Sequence, residues 1–323
     1  MHKRTLLRLA LLATFPLALA PFTACGGDDE NGGGGASASS TTTSSTGGGG
    51  GGDVGGGGAG GGGGAGGGGG GGSDATGEPA GHLLISEVAA APGASEFVEI
   101  WNPTESPIDL SNYYLADNSV YYGLTEGRTW APAGSQGTDF LVQFPAGTTI
   151  APGAYLVLAT DDDFEAEYDR CPDFALDDAP IPCGGTDVPR MVAPENGALG
   201  AQSGGLLTDT AEMVVLFEWD GTIGSALKDV DYVTWGESAG NSERADKTGK
   251  GDYEPDTERQ SQRAASTPVR GQSIARCDDV EYGELLTDGN GLVGHDETSE
   301  WLDVSFVAAS ERTPGEAYDC PSP

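Results

Sequence analysis

Basic residues are scarce in this chain: 15 Lys and Arg stand against 50 Asp and Glu among 323 residues, for a formal net charge of −35. A surface of that sign repels nucleic acid and anionic lipid headgroups, so nucleic acid is not an expected partner. Histidine is scarcer still. Of the 3 present, His2 lies near the start, leaving His82 and His295 to serve as a base or a metal ligand. Among the 5 cysteines there is no Cys-x-x-Cys pair, so no zinc site is expected. From His82 onward no convincing helical stripe of apolar residues occurs, which argues against a helical domain.

What is present begins with a leader. Lys3, Arg4 and Arg8 make a positive start, Leu9 to Leu19 an apolar run broken by Thr14 and Pro16, and small Thr23 and Ala24 precede Cys25. The run is too short for a stable membrane-crossing anchor, and the three-part layout is that of a signal peptide over residues 1–24. Phe22-Thr23-Ala24-Cys25 resembles the lipobox of bacterial lipoproteins, with Phe22 where Leu is usual. The resemblance implies that the leader is cut off and that Cys25 becomes the lipid-bearing N-terminus, palmitate among its acyl chains. Two or three chains, at about 0.8 kcal/mol per buried methylene, hold a protein on a membrane far more firmly than one. Gly26 is not the aspartate that commonly retains lipoproteins at the inner membrane. The expected location is therefore the cell envelope, anchored at the outer membrane and facing the surface or the periplasm. An ordinary secretory signal, with Cys25 a spare thiol, is the alternative.

Cys171, Cys183, Cys277 and Cys320 remain, an even number that in an exported chain predicts two disulfides with three possible pairings. Proximity favours Cys171 with Cys183 and Cys277 with Cys320. The first closes a small loop in a Pro- and Asp-rich segment, and the second pins the C-terminal tail.

Residues 25–81 are Gly with Ser, Thr, Ala and a few acids. Such a stretch buries too little apolar surface to offset the entropy of ordering, so a disordered linker with a reach of roughly 40 Å is expected. From residue 82 to 320 the texture changes to short apolar runs separated by Gly, Pro, Asn and Asp, which predicts an all-β domain. Candidate strands are His82 to Ala90, Glu96 to Asn102, Ile108 to Ala116, Phe140 to Phe144, Ala154 to Thr160, Glu212 to Trp219 and Val230 to Trp235. Turn signals separate them: Ala91-Pro92-Gly93, Asn102-Pro103, Pro145-Ala146-Gly147, Pro152-Gly153 and Asp220-Gly221. Seven short strands so punctuated suggest a sandwich. The polar segments near 161–210 and 236–268 are expected to be loop insertions without a core of their own.

Leu84-Ile85-Ser86-Glu87-Val88, Glu96-Phe97-Val98-Glu99-Ile100-Trp101-Asn102-Pro103 and Ile108-Asp109-Leu110-Ser111-Asn112-Tyr113-Tyr114-Leu115-Ala116-Asp117 follow one another in the first part of this domain. Phe144-Pro145-Ala146-Gly147-Thr148-Thr149-Ile150-Ala151-Pro152-Gly153, Asp231-Tyr232-Val233-Thr234-Trp235-Gly236, Gly271-Gln272-Ser273-Ile274-Ala275-Arg276 and Thr313-Pro314-Gly315 come later. In that order they resemble the lamin-tail domain, between Leu83 and Gly315. The resemblance implies an immunoglobulin-like β-sandwich serving as a binding or scaffolding module, with no catalytic residues to carry over. The two insertions and the four-cysteine framework depart from a minimal domain of that kind.

Several motifs raise chemistry of their own. Gly236-Glu237-Ser238-Ala239-Gly240 matches the nucleophile elbow of α/β-hydrolases, but the segment from Asn241 to Gly251 is too polar and glycine-broken for the helix an elbow needs. Glu87 and Glu99, on two early strands, form a candidate carboxylate pair for metal binding or acid–base work, against a plain role as the polar half of alternating strands. Asp161-Asp162-Asp163 and Asp288-Gly289-Asn290-Gly291 are the best calcium candidates. The second starts like an EF-hand loop and fails it, with Leu292 and Val293 where a ligand and the turn glycine belong and Ser299 at the last ligand place. Tyr113, Tyr114, Tyr121 and Tyr122, with Trp130 nearby, are either a platform for a ligand such as a glycan or, as favoured here, half core.

The expected function is a non-enzymatic envelope lipoprotein that presents a sandwich to an unknown protein or glycan and binds no cofactor. A hydrolase with its site hidden in the insertions, and a purely structural envelope protein, are the alternatives.

Overall fold

The computed structural model describes residues 76–90, 95–128, 138–201 and 205–321. The leader, Cys25, most of the glycine tract, the Ala91-Pro92-Gly93 turn and Trp130 lie outside the described residues.

Strands dominate. In chain order they are β1 (Gly77–Pro79), β2 (Leu84–Ala89), β3 (Phe97–Trp101), β4 (Ile108–Asp109), β5 (Tyr113–Ala116), β6 (Leu141–Gln143), β7 (Thr149–Ile150) and β8 (Tyr155–Ala159). There follow β9 (Phe174–Ala175), β10 (Pro182–Cys183), β11 (Thr186–Asp187), β12 (Ala211–Glu218), β13 (Lys228–Gly236), β14 (Ser273–Arg276), β15 (Val280–Tyr282) and β16 (Phe306–Ala309). The α-helices among the described residues are short, α1 at Phe164–Tyr168 and α2 at Leu302–Ser305.

Two sheets form an immunoglobulin-like sandwich. One has the order β13-β12-β5-β6, the other β16-β14-β2-β3-β8-β9. Ile85, Val98, Leu158 and Ile274 from the second sheet meet Leu115, Val142, Val215 and Val233 from the first in one buried core. The strands expected from apolar runs are all found, with one division. The run from Ile108 to Ala116 breaks into β4 and β5, because Tyr113 N donates to Leu110 O in a turn. β14 and β16 were not foreseen as strands: Ser273-Ile274-Ala275-Arg276 and Phe306-Val307-Ala308-Ala309 are too short for a visible alternation. Strand pairing also occurs before His82, since β1 pairs with β15, Gly77 opposite Tyr282.

The six-stranded sheet is covered on both faces. The segment after β8 folds back over its outer face, where Phe164, Ile181, Cys183 and Val188 pack on Ala89, Phe97, Val157 and Ala159 as a second core. The first insertion, expected to lack a core of its own, shares one with the sheet. The second insertion is held by polar contacts. Arg244 Nη1 donates to the carbonyls of Arg259 and Gln262, and the buried Lys247 reaches across to Asp229.

The disulfides join Cys171 to Cys183 and Cys277 to Cys320, with sequence separations of 12 and 43. Loop-closure entropy assigns the longer loop the larger effect, about 4 kcal/mol against about 3 for the shorter. Changing both Cys277 and Cys320 to Ser is expected to lower the unfolding free energy by about 4 kcal/mol in a urea titration. A loss below about 1 kcal/mol would show that the tail is held by other means.

Candidate functional site

Antiparallel pairing sets Glu87 of β2 directly opposite Glu99 of β3, which places the two side chains on one face of the sheet. A register shift between Ile85 and Glu87 makes Ser86 the extra residue, so that Ile85 and Val88 both point into the main core while Glu87 points outward. Outward is not exposed here. Each carboxylate is only 1% accessible, because the C-terminal tail lies across them.

The tail carries a matching set of donors. Thr313 gives Glu87 both its N–H and its hydroxyl, each at 3.0 Å, and Ser273 Oγ donates to the same carboxylate. Ser86 Oγ donates to Glu99 at 2.6 Å, and Gly315 N donates to the other oxygen of Glu99. Arg170 Nη1 donates to the carbonyl of Pro314 between them. Gly315 has φ +85°, and a side chain there would run into the Arg170 guanidinium, so both the turn and the packing require glycine. Thr313-Pro314-Gly315 and the Ser86-Glu87 and Glu99 positions are thus two halves of one clasp.

Burial raises the Glu99 carboxyl to about 8; the hydrogen bonds from Ser86 and Gly315 oppose the rise, and the neighbouring Glu87 adds to it. Glu87 is raised by burial too, with Ser273 and Thr313 pulling the other way. The adjoining cavity, lined by Trp101, Tyr155, Arg276 and Tyr318 among others, measures about 90 Å³. Organic ligands of ordinary size occupy roughly 300 Å³ or more. Both carboxylates are taken up by donors of the chain itself.

The remaining candidates separate clearly. Ser238 precedes a three-residue turn, Ala239–Asn241, in which Gly240 has φ +71°, and no helix follows. Its hydroxyl lies 3.3 Å from Ser242 Oγ and 3.5 Å from Glu243 N, so its partners include no imidazole and the elbow is not formed. Tyr114, Tyr121 and Tyr122 are buried, Tyr114 and Tyr121 packing on Phe217 at 5.2 and 5.3 Å between ring centroids. They are core, with Tyr113 half-buried beside them. Asp161 is buried and accepts from Ser95 Oγ and Asp163 N, while Asp162 and Asp163 face solvent. The Asn290 carboxamide is engaged by Glu254 and Asp256. The side chains of neither acidic run form a three-ligand cluster among the described residues.

A different cluster does form. His82 and His295, distant in sequence, come together with Glu297, one ligand atom of each within 4.8 Å of the others. Glu281 and Asp231 join Glu297 in the same way. The sequence signal was the pairing of His295-Asp296-Glu297 with Glu281-Tyr282-Gly283-Glu284. It carries no weight until β1–β15 pairing brings His82 alongside.

The lamin tail domain family matches residues 76–237, half of the chain, and the chain belongs to it. No curated protein matches. Among solved structures, a DUF4876 family protein from Bacteroides thetaiotaomicron is similar at 16% identity and TM-score 0.37, over 75% of this chain and 72% of that one. The family match ends at residue 237, whereas the Thr313-Pro314-Gly315 half of the clasp lies beyond it, as do β14 and β16, which complete the six-stranded sheet. Among the described residues no helix is long and apolar enough to cross a membrane.

Proposed function

We propose that this protein is a non-enzymatic, lipid-anchored module of the bacterial cell envelope. Cys25 carries the lipid, the glycine tract gives reach, and the lamin-tail sandwich meets a protein or glycan partner through its outer loops. Membership of the lamin tail domain family carries the module part of this reading. The lipobox-like Phe22-Thr23-Ala24-Cys25 and the glycine-rich composition of residues 26–81 support the anchored part. The serine-hydrolase alternative loses support, because Ser238 is met by Ser242 and Glu243.

Cys25→Ser tests the anchor. It is expected to move the protein from the membrane fraction to the soluble envelope fraction, and intact-mass analysis of the wild type is expected to show Cys25 acylated and the leader gone. A wild-type protein that is unacylated, or a C25S protein that stays with the membrane, overturns the anchored reading.

A further inference from the structure

His82 follows β1, at the entry to the domain. Its Nδ1 lies 3.1 Å from the carbonyl of Leu83, so that nitrogen is committed and Nε2 faces the interior. Nε2 stands 3.3 Å from Glu281 Oε2, and His295 Nδ1 stands 3.3 Å from Glu284 Oε2, neither with hydrogen-bond alignment. Oε1 of Glu281, of Glu284 and of Glu297 are also buried without a partner. These carboxylates are deeply enclosed: Glu281 is 3% and Glu297 2% accessible, and the Glu284 side chain 1%. Buried polar atoms are nearly always satisfied. Five orphans sit on these residues, and three of the residues, His82, His295 and Glu297, bring a ligand atom each within 4.8 Å of the others, which calls for a ligand.

Charge points the same way. The nearby cation, Arg276, is already held by Asp231 at 3.1 Å and Glu300 at 2.6 Å. Three further carboxylates are thus left with two imidazoles, and an uncompensated buried charge costs several kcal/mol. A divalent cation would satisfy His82, His295 and Glu297 together.

We propose that His82, His295 and Glu297, with Glu281 and Glu284 in support, bind a divalent transition-metal ion of the zinc type. Imidazole nitrogen with carboxylate oxygen suits such ions, whereas calcium and magnesium favour all-oxygen sets. Ligand atoms sharing one zinc stand about 3.3 Å apart, so the 4.8 Å span needs only a small inward turn of the side chains. The frame is built in advance. Asp296 accepts from Thr298 N and Oγ1 at 3.1 and 2.6 Å and from Thr257 Oγ1 at 2.7 Å, fixing the turn that carries Glu297. Gly291 N donates to His295 O at 2.7 Å. A Cβ on Gly291 would stand 2.5 Å from Glu297 Oε1, so the glycine keeps space for that carboxylate. The site joins the entry of the domain to the segment after β15, and it is independent of the anchoring proposed above.

The test uses the full chain, purified in detergent without chelators or metal-affinity resin. About one equivalent of zinc-type metal is expected by elemental analysis. Chelation is expected to lower the melting midpoint by roughly 5–10 °C, and added zinc to restore it, as for a ligand at a hundredfold excess over its dissociation constant. Cobalt is expected to give visible d–d absorption. Glu297→Gln and His295→Ala should each weaken zinc binding beyond the roughly 10–100-fold typical of outer-shell changes. His295 is the safer site, because its side chain is 22% accessible and its loss leaves a foldable chain to measure. No retained metal together with no zinc-dependent shift overturns the assignment. So does a calcium shift equal to that of zinc, or a zinc shift unchanged in both variants.

Discussion

Lys247→Met is expected to destabilise the protein by about 3 to 5 kcal/mol, the usual cost of removing one partner from a buried ion pair. The Lys247 side chain is 0% accessible, with Nζ 2.5 Å from Asp229 Oδ2 and 3.1 Å from Asp256 Oδ2. Nζ also donates to Tyr121 Oη at 2.7 Å, and that hydroxyl donates to Asp229. Burial alone would lower the ammonium's pKa, but the two carboxylates raise it above its ordinary value, so the charge persists. Methionine keeps the length of the stem and leaves two acids enclosed without their cation. A urea titration should show a lower midpoint with an unchanged slope. Adding Asp229→Asn should recover part of the loss by removing one of those acids. A K247M protein within about 1 kcal/mol of wild type would show that the second insertion is held by its apolar contacts instead.

The second large effect is on pH. Glu99 has its carboxyl raised from 4.5 to about 8 by burial, so the folded state binds that proton more tightly than the unfolded chain. The stabilisation is fully present below the unfolded value and is lost as pH rises through the folded one. Between pH 6 and pH 9 the loss through Glu99 comes to about 2 to 3 kcal/mol. Glu99→Gln carries no proton to lose, and its amide can donate to Ser86 Oγ while its carbonyl accepts from Gly315. The wild type should therefore melt several degrees lower at pH 9 than at pH 6, and the E99Q protein should lack that component. Parallel pH profiles for the two proteins would contradict the assignment of a bound proton to the clasp.

These effects show where the sequence is legible and where it is not. Val98, Ile100, Leu156 and Leu158 announce strands because a half-buried sheet needs apolar residues in alternation. The pairing of Cys171 with Cys183 and Cys277 with Cys320 follows chain proximity. Glu87 and Glu99 look like the solvent side of such strands. Only the tail arriving from residues 313–315 turns that face into an interior. Lys247 in a polar, glycine-broken stretch looks like surface, yet its partners Tyr121 and Asp229 lie on other elements. His82 and His295 are each unremarkable alone; their meeting depends on the three-residue ribbon of β1 and β15, too short to stand out by pattern. Non-local closure carries no local signature.

The clasp also orders the birth of the domain. A chain made from its N-terminus exposes β2 and β3 early, with two acids opposed and no donors for them. The strand that flanks β2, β14, and the Thr313-Pro314-Gly315 segment emerge much later, Thr313 lying 226 residues after Glu87. Contacts of such wide sequence separation form late and slowly. The nascent sandwich therefore stays open until residues 313–315 have been made and the final lock engages.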